Sequence, residues 1–198
     1  MLSPKFRFLA TVVALSLSLA LHAARSGAQS SLANKEILIV RHGERPAAED
    51  ALTDRGKARA QAYVGYFEHL SIDGRPIHLT HLFAEKSRRT RETLEPLSKA
   101  TGMELDTRFA TKDDVALAAD LQSHSYGNEV LICWHHHAIS KLIKDLGGDP
   151  DAVIPGGKWP GSTYDWVIDL RFDGAGHLEK SGEKLIREHL MPGDPAGN

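Results

Sequence analysis

Ile37-Leu38-Ile39-Val40-Arg41-His42-Gly43-Glu44-Arg45 is the stretch on which the reading of this chain turns. Four β-propense apolar residues read as a strand buried on both faces, the kind found inside a parallel sheet. In open α/β sheets ligands collect at the carboxyl ends of such strands, which is where Arg41 and His42 fall. Gly43 lets the backbone turn with no side chain in the way, and arginine carries a planar fork of donors matched to phosphate oxygens. The stretch points to phosphate chemistry. Three residues make a short motif, so the strand-end context gives that reading most of its weight.

Strands and helices alternate outward from this point. Thr53 precedes a segment in which Ala60, Tyr63, Val64, Phe67 and Leu70 recur at helical spacing, so residues 54–70 are expected to form an amphipathic helix capped by Thr53. A strand is expected over His78 to Ala84, and a second helix over Ser87 to Ala100 with Thr90, Leu94 and Leu97 inward. Val130 to Trp134 reads as a buried strand and Ala138 to Leu146 as a helix that Gly147-Gly148 stops. Trp166 to Phe172, the turn Asp173-Gly174-Ala175-Gly176 and a last strand form a hairpin. The alternation predicts an α/β fold, a three-layer α/β/α sandwich with a mostly parallel central sheet.

The first 28 residues carry Lys5 and Arg7, an apolar segment from Phe8 to Leu21 and then small residues. That is the pattern of a secretory signal peptide, with cleavage expected after Ala28 and Ala23 or Ala24 as alternatives. The apolar segment is shorter than the roughly 20 residues of a spanning helix, which weighs against a permanent anchor and for a periplasmic or secreted protein. The expected division is signal peptide 1–28, a polar lead-in over 29–35, one domain over 36–191 and a disordered tail over 192–198. Without residues 1–28 the chain holds 21 basic against 26 acidic residues. This acidic balance argues against a broad nucleic-acid surface and against adhesion to anionic membranes. Cys133 is the sole cysteine and lies in an apolar run, so it reads as a small buried hydrophobe.

Three patches add to the reading begun at His42. On the second helix Arg88 has Glu92 four residues on and Arg91 has Glu95, which are ordinary surface ion pairs; Arg89 has Thr93 instead. Arg89 is therefore the arginine aimed at a site, near a helix start where free N–H groups favour an anion. The run Trp134-His135-His136-His137 ends a buried strand. Adjacent strand residues point to opposite faces and no partner group stands at zinc spacing, so one of these histidines as a phosphate ligand outweighs a metal site. The aromatic patch of Trp159, Tyr164 and Trp166 reads as core and loop packing ahead of substrate stacking.

Over most of residues 36–147 the chain resembles the histidine phosphatase superfamily, also called phosphoglycerate mutase-like. The resemblance rests on Arg41-His42-Gly43-Glu44, on Leu52-Thr53-Asp54-Arg55-Gly56, on Arg89 with Thr93, and on a histidine ending the Val130 strand. Each motif is weak alone; four in order on the right elements are strong. The resemblance implies a phosphatase acting on a phosphomonoester or similar phosphorylated small molecule, with neither metal nor cofactor. His42 would become a phosphohistidine that water then releases. Arg41, Arg89 and a second histidine, with Arg45 as a further candidate, would hold the phosphoryl oxygens. For that second histidine the register of Trp134 and Gly147 favours His136 over His135.

The family's general acid has no clear counterpart here, and Glu44, Glu85, Asp113 and Asp114 stay open for it. The missing acid keeps a different class in view, a non-catalytic module that binds phosphate or a phospho-sugar. A histidine-rich metal-binding protein is the third reading.

Overall fold

The computed structural model describes residues 30–195, so the expected signal peptide and its cleavage point lie outside the described residues. Six strands form one sheet: β1 (Glu36–Arg41), β4 (His81–Ala84), β5 (Leu105–Asp106), β6 (Glu129–Trp134), β7 (Trp166–Phe172) and β8 (Leu178–Arg187). Two short strands, β2 (Ser71–Ile72) and β3 (Arg75–Pro76), make a separate hairpin. The sheet order is β5-β4-β6-β1-β7-β8, with β1, β4, β5 and β6 parallel and β7 antiparallel to both β1 and β8. This is the mostly parallel sheet that the alternation predicted.

Helices cover both faces, which is why Ile37–Val40 of β1 and Val130–Trp134 of β6 are apolar at every position rather than alternating. On one side α1 (Asp54–His69) and α2 (Arg88–Thr101) bring Tyr63, Phe67, Leu94 and Leu97 against Leu38, Val40, Leu131 and Cys133. On the other, α3 (Asp114–Ser123), α4 (His136–Asp145) and the short α5 (Pro150–Val153) set Leu117, Ile139, Leu142 and Val153 against Ile37, Ile39, Val130 and Ile132. Each fully buried aliphatic side chain contributes about 1.5–3 kcal/mol, so β1 is fixed by its neighbours on both faces. Cys133 is buried and burial pushes its thiol well up, as expected of an unreactive core residue.

Several local expectations are met and several change. Thr53 caps α1, its hydroxyl accepting the Gly56 N–H at 3.1 Å. The strand expected from His78 begins only at His81. Glu95 pairs with Lys99 rather than Arg91, while Arg88 does pair with Glu92. The helix expected from Ala138 begins at His136, so His136 and His137 are helical and not part of a strand. Helix α3, which carries little apolar periodicity, has no counterpart in the sequence reading.

The tail also differs. As far as Asp194 it is tied to α1, for Arg55 donates to the Pro192 carbonyl at 2.7 Å and Arg59 donates to Asp194 at 2.8 Å. Arg59 is buried and also meets Glu44 and Glu188. A buried guanidinium needs such partners, and the tail supplies one of them. Residues 196–198 lie outside the described residues.

A buried acid pair sits at the other end of β1. Burial, with the Glu36 charge beside it, raises the Asp169 carboxyl to about 7. An acid raised on folding binds its proton more tightly in the native state, so its stabilising share is complete below the ordinary carboxylate range and is lost as pH rises through about 7. Thermal melts from pH 5 to 8.5 should therefore show a falling Tm, and Asp169→Asn should flatten the fall. An unchanged slope in the variant would assign the pH dependence elsewhere.

Candidate active site

The carboxyl ends of β1, β6 and β4 lie side by side, with Arg41 opposite Trp134 and Ala84 opposite Cys133. The residues that follow these strands, His42, His135 and Glu85, are thereby brought to one edge of the sheet. Antiparallel β7 begins at the same edge, Val167 standing opposite Val40, so Tyr164 arrives there too. The N-terminus of α2 adds Arg89. Arg41, His42, Arg89, His135 and Tyr164 line a pocket of about 280 Å³, with Arg45, His136, His137 and Gly161 also on its walls; Glu85 lies behind His135.

His42 lies at the centre. Its Nδ1 is 2.8 Å from the Gly43 carbonyl, and a carbonyl only accepts, so Nδ1 carries the proton and Nε2 keeps its lone pair. Burial, helped by the charges of Arg41 and Arg89, lowers its pKa to about 3. The imidazole is thus neutral at physiological pH. Gly43 donates its N–H to Thr93 Oγ1 at 2.9 Å, and that hydroxyl donates to the Arg89 carbonyl at 2.7 Å, which locks α2 to the turn bearing His42. The turn also presses on α1: a Cβ at Gly56 would stand 2.3 Å from the Glu44 carbonyl. These contacts give Gly43, Gly56 and Thr93 a shared task, the close approach of α1 and α2 to the turn that bears His42.

The arginines are held by atoms other than their full set of donors. Arg41 Nη1 donates to the carbonyls of Pro160, Gly161 and Thr163 at 3.2, 2.9 and 2.7 Å, and its guanidinium lies 3.8 Å over the Tyr164 ring. Arg89 donates from Nη1 to Asp50 at 2.7 Å and from Nη2 to His135 Nδ1 at 2.9 Å. The Nε–H groups of both are buried with no partner among the described residues. Unpaired buried donors on cations are costly, and two of them beside a neutral histidine make a ready anion site. Arg45 donates to the carbonyls of Pro46 and Ala47, both at 2.8 Å, and stands at the rim.

The three histidines part company. His135 is the junction residue between β6 and α4; it is 3 % exposed and its ring centroid lies 5.3 Å from that of His42. Its Nε2 is 2.9 Å from Glu85 Oε2. Since Arg89 can only donate to Nδ1, the proton sits on Nε2 and is given to the carboxylate. His136, favoured on register, points elsewhere: its Nδ1 is 3.3 Å from the Trp159 carbonyl and it forms the pocket wall. His137 is exposed. The residue next to His42 is His135, because the helix starts immediately after it.

None of the four carboxyl groups offered as general acid lines the pocket. Burial opposes ionisation of Glu44, but hydrogen bonds from Arg59 and Arg55 hold its carboxyl below the usual range. Glu85 is likewise buried, yet N–H groups from His135 and Ser87 hold it far down. It orients His135 and has no proton to give. Asp113 accepts the Ala110 N–H at 2.9 Å, and Asp114 pairs with Lys141 at 2.8 Å. Tyr164 is the wall residue that the sequence placed with core packing. The patch divides, since Trp159 and Trp166 are buried against each other while Tyr164 faces the pocket.

No family model matches the chain, and comparison with curated proteins found no relative. Solved structures do match. The protein histidine phosphatase SixA complexed with tungstate is 18 % identical with a TM-score of 0.54, over 73 % of this chain and 92 % of that one. Phosphoglycerate mutase from Plasmodium falciparum is 15 % identical with a TM-score of 0.53, over 83 % and 98 %. The alpha-ribazole phosphatase from Shigella flexneri is 13 % identical with a TM-score of 0.53, over 82 % and 100 %. All three are histidine phosphatase superfamily proteins, and the fold of this chain is theirs, the phosphoglycerate mutase-like fold.

Proposed function

We propose that the protein is a phosphatase that hydrolyses a phosphorylated small molecule through a phosphohistidine on His42 Nε2. The observation that carries this reading is the pairing of a neutral, open Nε2 with two arginines whose buried Nε–H groups lack partners. The lone pair attacks phosphorus while the arginines take the charge that builds on the phosphoryl oxygens. Water then attacks the phosphohistidine and restores the histidine. In this proposal Arg41 and Arg89 bind the phosphoryl group, Arg45 guards its entrance, and the second histidine is His135. The solved structures of the same fold that are named for phosphatase and mutase activities agree with a phosphoryl-transfer role.

Steady turnover of p-nitrophenyl phosphate by purified protein tests the proposal, because its leaving group needs little protonation. A protein that binds phosphate but never turns over this ester would instead be the non-catalytic module, the reading favoured by the lack of a carboxyl group in the pocket wall.

Export is part of the proposal, supported by the pattern of residues 1–28. Among the described residues no helix is long and apolar enough to cross a membrane. N-terminal sequencing of the secreted or periplasmic form is expected to begin near Gln29; Met1 retained in a membrane fraction would refute it.

A further inference from the structure

A second depression of about 610 Å³ adjoins the pocket, His136 and His137 lining both. Helix α4 forms one wall with Ser140, Lys141 and Lys144, which follow His136 and His137 at helical spacing on one face. The segment Gly156-Gly157-Lys158 forms the other, fastened to α4 by the Ser140 hydroxyl donating to the Gly157 carbonyl at 2.7 Å. Lys141 is already paired with Asp114 and Asp145. Among the described residues Lys144 and Lys158 have no ion-pair partner, and the wall's one acid, Asp151, lies against Gly157. The depression is therefore cationic and shares its His136 and His137 wall with the phosphoryl site.

A second, independent observation concerns the leaving group. Among the described residues no carboxyl group stands in the phosphoryl pocket's wall, and the nearby Glu44, Glu85 and Asp50 are held as acceptors by arginine, histidine or backbone N–H groups. A leaving alkoxide would need a proton that none of them holds. A leaving phosphate is already anionic at neutral pH, the second ionisation of a phosphate monoester lying at about 6, and departs without one.

We infer that the substrate is a phosphoanhydride: His42 takes the terminal phosphoryl group, and the second phosphate, which is the leaving group, lies in the depression against Lys144 and Lys158. This rests on the phosphatase reading above and names its substrate class. The His42 Nε2 lone pair forms the N–P bond as the bridging P–O bond breaks, its electrons leaving on the second phosphate. Water then forms a new P–O bond. The N–P electrons return to Nε2, a proton passes to solvent, and orthophosphate is released.

Turnover and binding together test the inference. The purified protein should hydrolyse inorganic pyrophosphate with kcat/KM about tenfold or more above glycerol phosphate. Lys144→Gln with Lys158→Gln should cut pyrophosphate kcat/KM about tenfold, chiefly through KM, and change p-nitrophenyl phosphate kcat/KM by less than about twofold. Equal use of glycerol phosphate, or equal losses on both substrates in the variant, would overturn it. Calorimetry with non-hydrolysable methylenediphosphonate keeps the two readings apart. Absence of p-nitrophenyl phosphate turnover would sink the phosphatase reading, whereas the binding site stands if methylenediphosphonate binds about tenfold tighter than methylphosphonate and the double variant removes that difference. Equal affinities would remove the site as well.

Discussion

His42→Ala is expected to abolish turnover of p-nitrophenyl phosphate, with a loss on the order of 10⁴-fold or more as for other covalent nucleophiles. The variant should still fold, because His42 follows β1 and its ring bonds only to its own neighbour's carbonyl. In the native protein, phosphate on a histidine nitrogen should be trapped by a quench that avoids acid, and it should vanish in the variant. The lowered pKa of about 3 adds a second readout. The free-protein pH–rate profile should keep its acid limb well below 6.5, since Nε2 stays unprotonated until strongly acidic pH. Retained turnover or retained phosphohistidine in His42→Ala would falsify the mechanism.

Replacing His135 should cost about 100-fold or more in kcat, because its loss frees the Arg89 head and removes the ring beside His42. His136→Ala and His137→Ala should each cost less than about tenfold, as wall residues outside the reacting shell. His135→Ala also strips Glu85 of a donor, and a buried carboxylate left short of partners costs about 1–3 kcal/mol. His135→Asn offers a replacement N–H donor and should recover much of that stability while kcat stays low. Circular dichroism and melting curves separate the two effects. A larger kcat loss in His136→Ala than in His135→Ala would restore the assignment drawn from register.

The sequence by itself determined the layers and the sheet. Ile37–Val40 and Val130–Trp134 are apolar at every position, and only a strand covered on both faces requires that. The helical spacing of Tyr63 and Phe67, and of Thr90, Leu94 and Leu97, specified what covers one of those faces. The same local logic placed Arg41, His42 and Arg89 at element ends where ligands gather. Periodicity failed at α3, where alanines and a mixed face give no stripe, and at the triple histidine run, where a helix start two residues earlier than expected changes which ring faces inward.

Tertiary structure alone decided the partners. Glu44, Glu85, Asp113 and Asp114 are indistinguishable as carboxylates along a chain; Arg59, His135 and Lys141, each 15 or more residues away, give Glu44, Glu85 and Asp114 their tasks, while Asp113 accepts locally from Ala110. Tyr164 reads as one aromatic among three until antiparallel β7 sets it beneath Arg41. His135 is separated from His136 by the exact point where β6 hands over to α4, and Glu85 and Arg89 then fix the ring. Burial and hydrogen bonding across long sequence separations set which group carries charge, and no local pattern encodes those distances.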